Sequence, residues 1–266
     1  MLIISDNLNM ARRHIAKAIV ERDAGTVREL AHKITLAGAD VIDVNLGLVT
    51  QGAEETMAWL VEQIQEVSDL QLSLDGHSAD AMIAGAEKAR KKPILNTYFV
   101  HSSHPDSMDR LMEYAARNGL ELILPALDAG GPPLDPDERA GRAQELVNAA
   151  MSAGVPAEDI FVDPVVVHLA GGDGQAHAAA VLETMKLLAT IFDPPVKTLA
   201  GVEYLSQGSP VELRSAVSRV YLAMLGALGL NAALVDALDR ETMRDIRLIK
   251  GLRNESLYSA SDAQLK

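Results

Sequence analysis

Short apolar runs alternate with amphipathic stretches along the whole chain. Leu2-Ile3-Ile4, Val41-Ile42 with Val44, residues 70–74, Ile94-Leu95, and residues 120–124, 160–162, 196–199 and 232–235 have strand length and are rich in Leu and β-branched residues. That suits buried parallel strands. The stretches between them carry apolar residues at helical spacing. Ile15, Ala18, Ile19 and Val20 make one face; Val27, Leu30, Ala31, Ile34 and Leu36 make the next; Met57, Leu60, Val61, Ile64 and Val67 make a third. Further helices are predicted over 79–89, 105–117, 135–153, 175–191, 211–228 and 240–252. Their ends carry the expected signals. Gly38 and Asn118-Gly119 stop helices, Arg90-Lys91-Lys92 complements a negative C-terminus, and Asp135 or Asp137 caps an N-terminus.

The result is eight strand–helix periods in 266 residues, with no linker and no shift in composition. Alternation of this kind means parallel strands with helices outside, and eight units fit a (βα)8 TIM barrel, an α/β fold read here as a single domain over 1–266. A polar C-terminal tail, about 253–266, is expected to fray. The other architecture with this pattern is an open doubly wound sheet. No Gly-x-Gly-x-x-Gly follows the first strand and no P-loop is present, which removes the strongest support for that alternative.

Several strands end in an acid or an amide. Val41–Val44 leads through Asp43 to Asn45 and then Gly47; Leu72-Ser73-Leu74 leads to Asp75, Ile94-Leu95 to Asn96, and Ile160-Phe161-Val162 to Asp163. Ser5-Asp6-Asn7 and Glu203-Tyr204 occupy similar places. In a barrel the C-terminal strand ends meet on one face, where chemistry sits. The plain alternative for each residue is a turn or helix cap, which Asp and Asn make well. A set of carboxylates and amides suits a flat heterocycle carrying N–H donors and a carbonyl, and suits phosphate poorly. A divalent cation is a weaker fit to the same oxygens. His77, and the pair His101 and His104, have no third ligand at a fitting spacing, so no metal site is predicted. His168 and the loop Ala170-Gly171-Gly172-Asp173-Gly174 are candidates to close over a bound ligand.

Composition narrows the partners. Net charge is −13, from 24 basic and 37 acidic residues, which disfavours nucleic acid and anionic membrane surfaces. Aromatic residues are 3% and hydrophobic residues 48%, so a core of Ala, Leu and Val is expected. The chain has no cysteine, hence no disulfide, thiolate metal site or Cys nucleophile. No signal peptide and no membrane-length apolar run is apparent, so a cytoplasmic protein is expected.

The order of these motifs resembles a known family over nearly the whole chain. Asp43-Val44-Asn45-Leu46-Gly47, Leu74-Asp75, Leu95-Asn96, Val162-Asp163-Pro164, and Lys197-Thr198-Leu199-Ala200-Gly201 leading into Ser206-Gln207 look like the pterin-binding barrels. So does Met57-Ala58-Trp59-Leu60-Val61-Glu62 followed by Gln65-Glu66-Val67-Ser68. The similarity is greatest to the methyltetrahydrofolate:corrinoid protein methyltransferases, with dihydropteroate synthase more distant. The resemblance implies that Asp75, Asn96 and Asp163 hydrogen-bond the pterin ring of 5-methyltetrahydrofolate or tetrahydrofolate. It implies Tyr204 near N5, where the family has Asn, and further substrate contacts from Asn9, Asp43, Asn45, Gly201, Ser206 and Gln207. It implies a corrinoid (cobalamin) carried by a separate partner protein, and a homodimer through the C-terminal helices, where residues 220–230 are rich in apolar side chains. Two departures stand out: Tyr204 itself, and a first-strand loop without the family's glycine and arginine. Two other readings remain open, a non-catalytic folate-binding barrel and a dihydropteroate synthase. The latter uses a Ser-Arg-Lys stretch where this chain has no Arg or Lys in Gly201-Val202-Glu203-Tyr204-Leu205.

Overall fold

Each strand of the alternation pairs with the next in sequence, and the last pairs with the first. In the computed structural model, which describes residues 1–98, 105–128 and 130–264, the strands are β1 (Leu2–Asn9), β2 (Val41–Asn45), β3 (Gln71–Asp75), β4 (Ile94–Asn96), β5 (Glu121–Pro125), β6 (Ile160–Asp163), β7 (Lys197–Gly201) and β8 (Ala232–Val235). They form a closed parallel barrel in the order β1 to β8. Around it lie α1 (Arg13–Val20), α2 (Ala24–Ala37), α3 (Ala53–Gln65), α4 (Ala79–Lys88), α5 (Pro105–Asn118), α6 (Pro136–Ser152), α7 (Gly174–Ile191), α8 (Val211–Ala227) and α9 (Arg240–Leu252). The (βα)8 barrel expected from the alternation is the fold. No helix among the described residues is long and apolar enough to cross a membrane.

Local chemistry explains the helix ends. Asp23, Ser78, Asp135 and Asp239 accept backbone N–H groups of the first turns, each satisfying donors the helix cannot. Asp135, not Asp137, is the cap of α6. Gly38 ends α2 at φ 88°, a left-handed conformation that costs glycine nothing.

Two apolar layers result from the strand alternation. Ile4, Val41, Ile94, Ile123, Phe161 and Leu199 point inward with Ala232 and Leu234 and fill the lower barrel. Lys197 closes that end, its ammonium 4.7 Å from the Phe161 ring and 2.7 Å from Glu121. The outer layer joins strands to helices and holds the residues with helical spacing, among them Met57, Leu60, Val61 and Ile64 of α3. Helices α3 and α4 approach closely at Gly85, where a Cβ would meet Met57 Cγ at 2.6 Å and Leu74 Cδ1 at 3.1 Å. Truncating a buried side chain such as Met57 in this layer costs about 2–5 kcal/mol.

One element differs from expectation. The first strand is predicted to end at Ile4, but β1 runs to Asn9 and every residue from Ile3 onward is buried. A register shift between Ser5 and Leu8 lets the strand turn its polar residues inward. There they are satisfied by one another: Ser5 Oγ donates to Asn7 Oδ1 at 2.7 Å, and Asn7 Nδ2 donates to Asp236 at 2.6 Å. The tail, expected to fray, carries a 3-10 turn at Ala260–Ala263, and Arg247 donates to the Gln264 carbonyl.

Candidate functional site

Above the apolar lower layer the barrel interior turns polar, and strand register sets the heights. Asp43 pairs across to Ser73, while Asn45, Asp75 and Asn96 lie side by side on β2, β3 and β4. Because side chains on a strand alternate, Asp43 and Asn45 both face inward and Val44 packs outward. In the lower tier Ser73 Oγ donates to Asp43 Oδ1 at 2.6 Å. In the upper tier Asn45 Nδ2 donates to Asp75 Oδ2 at 2.7 Å, and Asn96 Nδ2 reaches the same oxygen at 3.4 Å. Asp163, at the end of β6, accepts from the Val165 backbone N–H at 2.8 Å. Asp75 Oδ1 and Asp43 Oδ2 are buried with no partner. An unsatisfied buried acceptor costs about 1–3 kcal/mol, so the free Asp75 oxygen marks where a donor from a ligand would be stabilised.

The opposite half of the mouth is built by β7, β8 and β1. After Gly201 a 3-10 turn, Val202–Ser206, carries Glu203 and Tyr204. The Tyr204 ring lies on Gly201: a Cβ there would meet Tyr204 Cδ2 at 2.6 Å and Cε2 at 2.8 Å, so only glycine admits this placement. Asn9 Nδ2 donates to Asp6 at 2.7 Å, and Arg12 pairs with Asp236 at 3.1 Å. Tyr204 divides the mouth. On one side a cavity of about 30 Å³, room for one or two waters, is lined by Asp75, Asn96, Tyr98, Asp163, Gly201 and Tyr204. On the other side a cleft of about 1000 Å³ is lined by residues including Asp6, Asn9, Arg12, Glu203, Tyr204 and Gln207.

So many acids in so little solvent cannot all ionise together. Burial pushes Asp163 and Glu203 up to about 7 and Asp6 up to about 6. Asp43 is pushed up to about 8 by burial and by the charge of Asp6, against the hydrogen bond from Ser73. Asp75 lies well above the usual carboxylate range, through burial and then the neighbouring Asp43, Asp6 and Asp163. The Tyr204 hydroxyl is raised by burial and by the same acids, so it keeps its proton and serves as a hydrogen-bond donor. The mouth thus combines acceptors for N–H groups with carboxyls that carry protons near neutral pH. That combination has the chemistry to bind and protonate a nitrogen heterocycle. Among the described residues no group of His, Asp and Glu could hold a metal ion.

Comparison with known proteins agrees with this chemistry. The profile of the family described as pterin binding enzyme matches residues 7–242. The chain belongs to the pterin-binding enzyme family. It is 23% identical to the methylcorrinoid:tetrahydrofolate methyltransferase of Eubacterium limosum over 244 residues, covering 91% of this chain and 88% of that protein. It is also 23% identical to methionine synthase of Mycobacterium leprae, spanning 89% of this chain but only 20% of that longer protein. Among solved structures it superposes on dihydropteroate synthase of Yersinia pestis with a TM-score of 0.70 at 18% identity, covering 95% and 93% of the two chains. The Xanthomonas albilineans dihydropteroate synthase with 4-aminobenzoic acid gives 0.69 at 20% identity, covering 97% and 93%. At these identities the superpositions establish the fold.

The pterin-binding barrel brings most of the residues singled out in the sequence to one mouth. Asp75, Asn96, Asp163, Gly201 and Tyr204 line the small cavity, and Asn9, Asn45, Tyr204, Ser206 and Gln207 line the large cleft. Asp43 sits lower than a strand-end position implies: it is mid-strand, 0% exposed, and buttresses the upper tier. His101 and His104 lie outside the described residues. Three residues escaped the sequence reading. Asp236 follows β8 and had the same signal as the others, an apolar strand ending in Asp. Tyr98, two residues past Asn96, and Arg12, beyond the end of β1, had no such signal.

Proposed function

We propose that this pterin-binding enzyme moves a methyl group between N5 of tetrahydrofolate and a corrinoid held by a separate protein that docks over the barrel mouth. The observation that carries the reading is the buried tier of Asp75, Asn96 and Asp163, with an acceptor oxygen on Asp75 left open for a ligand N–H. The near-full-length similarity to a methylcorrinoid:tetrahydrofolate methyltransferase supports the choice of reaction within the family.

The residues suit both binding and proton handling. Asp75 and Asp163 accept the N–H groups of the pyrimidine edge, and Asn45 and Asn96 hold Asp75 in place. A tertiary amine leaves poorly, so N5 must gain positive character before its methyl departs; Glu203, raised to about 7, is the proton donor in this reading, with Asp6, raised to about 6, beside it in the cleft lining. The corrinoid, when its carrier is docked, supplies the cobalt that takes or gives the methyl. Tyr204 donates a hydrogen bond toward N5 in the position the family gives to Asn. Since the small cavity holds only one or two waters, a pterin seated on Asp75 and Asp163 requires its Tyr204 wall to move.

A homodimer is part of the proposal. Helices α7 and α8 leave an apolar groove of about 520 Å³ lined by Leu169, Leu182, Val217, Val220, Tyr221 and Met224, with Val220 65% exposed.

A second reading follows from Tyr204: a barrel whose mouth is filled by a tyrosine would bind folate without transferring its methyl. One experiment separates the readings. Purified protein is mixed with methyltetrahydrofolate and a reduced corrinoid protein, and the corrinoid's visible spectrum is followed. Methylation at a rate set by this protein supports transfer. Tight folate binding with no spectral change for any corrinoid protein favours the binding role, and condensation of 4-aminobenzoate with a pterin pyrophosphate would instead make it a synthase.

A further inference from the structure

Arg139, in the first turn of α6, is a fully buried arginine, 0% exposed, beside the loop that follows β6. A guanidinium in low dielectric is costly unless its donors are used. None of the hydrogen bonds it makes goes to a carboxylate. Nε donates to the Pro133 carbonyl at 2.8 Å, Nη1 to the carbonyls of Pro164 at 3.1 Å and Val165 at 3.5 Å, and Nη2 meets His177 Nδ1 at 2.7 Å. Arginine only donates, so His177 is neutral with its Nδ1 lone pair turned to Arg139. Burial, and then the neighbouring Arg139 charge, hold His177 below its ordinary value.

What Arg139 grips is the turn that carries Asp163. Val165 has φ 60°, in the left-handed region where a β-branched side chain is strained by roughly 1–3 kcal/mol. The same residue donates its N–H to Asp163 Oδ1 at 2.8 Å. Arg139 therefore holds Val165 by its carbonyl while Val165 holds Asp163 by its N–H. The cation also faces Asp163 through space and opposes the upward push of burial. Among the described residues, Asp75 from β3 and Tyr98 beyond β4 are the other titratable groups that interact with Asp163, and neither is a cation.

We propose that Arg139, oriented by His177 and acting through the strained Pro164-Val165 turn, is the positioning residue that aims the Asp163 carboxylate at the pterin ring. This rests on the reading of Asp163 as a ring acceptor, and the controls separate the two claims. The full-length protein is titrated with methyltetrahydrofolate between pH 5 and 9 for wild type, Asp163→Asn, Arg139→Met and Arg139→Lys, with thermal midpoints measured alongside. Arg139→Met is expected to bind about 10- to 100-fold more weakly at pH 7. Its acid limb should move up by about one pH unit, because loss of the cation makes Asp163 harder to ionise. Arg139→Lys keeps the charge but not the fork of donors, so it should hold the acid limb near wild type while still losing affinity. A merely structural arginine would lower the thermal midpoint and leave the affinity and acid limb of the folded protein unchanged; that result in Arg139→Met overturns the proposal. Should Arg139→Met fail to fold, Arg139→Lys decides: wild-type affinity overturns the proposal and weakened affinity with an unmoved acid limb supports it. Wild-type binding by Asp163→Asn would instead remove the ring-acceptor reading on which the proposal stands.

Discussion

Pterin binding should release protons near neutral pH. In the free protein Asp163 is pushed up to about 7 by burial, so at pH 7 it is about half protonated. A ring N–H needs the ionised carboxylate as its acceptor, and such a bond lowers a carboxyl by roughly two units. Bound Asp163 would then be mostly ionised at pH 7. Asp163 thus gives up part of a proton at pH 7 and more toward pH 6, and Asp75, also held above the carboxylate range, adds to the release. The sign follows: release of protons means affinity rises with pH between about 5 and 7, then levels off. Calorimetry of methyltetrahydrofolate binding at pH 7, in buffers of different ionisation enthalpy, measures the release as the slope of observed against buffer enthalpy. Asp163→Asn should lose that part of the slope. A zero slope in wild type, or the same slope in Asp163→Asn, would refute the assignment of Asp163 as ring acceptor.

Three further outcomes follow from the same geometry. Asp75→Ala and Asn96→Ala should each weaken folate binding by about 1–3 kcal/mol, since each removes a buried polar partner in the upper tier; unchanged affinity in both folded variants, by calorimetry, removes the site. Tyr204→Phe should slow single-turnover methyl transfer roughly 10- to 1000-fold while leaving folate affinity nearly intact, the signature of one polar group acting in the transition state; normal transfer would reduce Tyr204 to a packing element on Gly201. Light scattering should give a dimer at micromolar concentration, and Val220→Asp with Met224→Asp, placed in the apolar groove of α7 and α8, should give a monomer; a monomeric wild type contradicts the dimer.

The barrel was legible because its two periods are physically separate: runs that pack on both faces, and stripes that pack on one. Asp75, Asn96 and Asp163 were legible for a related reason, since each breaks an apolar run where the strand leaves the core. What stayed hidden lies where the barrel interior changes from apolar to polar. Ser5 to Asn9 look like a loop because polar residues in a strand are expected to face water; here they face one another and Asp236 at the end of the adjacent β8. Asp43 looks like a strand-end residue because Val44 and Asn45 follow it, yet register with Ser73 places it a tier lower. Arg139 had no signal at all. An arginine in the first turn of a helix reads as solvated, and only the strained Val165 turn, invisible without φ, gives its burial a purpose. These failures share a cause. Each residue breaks the local rule that polar groups face solvent, and Asn7, Asp43 and Arg139 are each buried against a polar group from a distant strand or loop. Pairing of that kind is long-range, so no window of sequence contains it, and it gathers around the mouth because a ligand rich in N–H groups needs polar partners kept away from water.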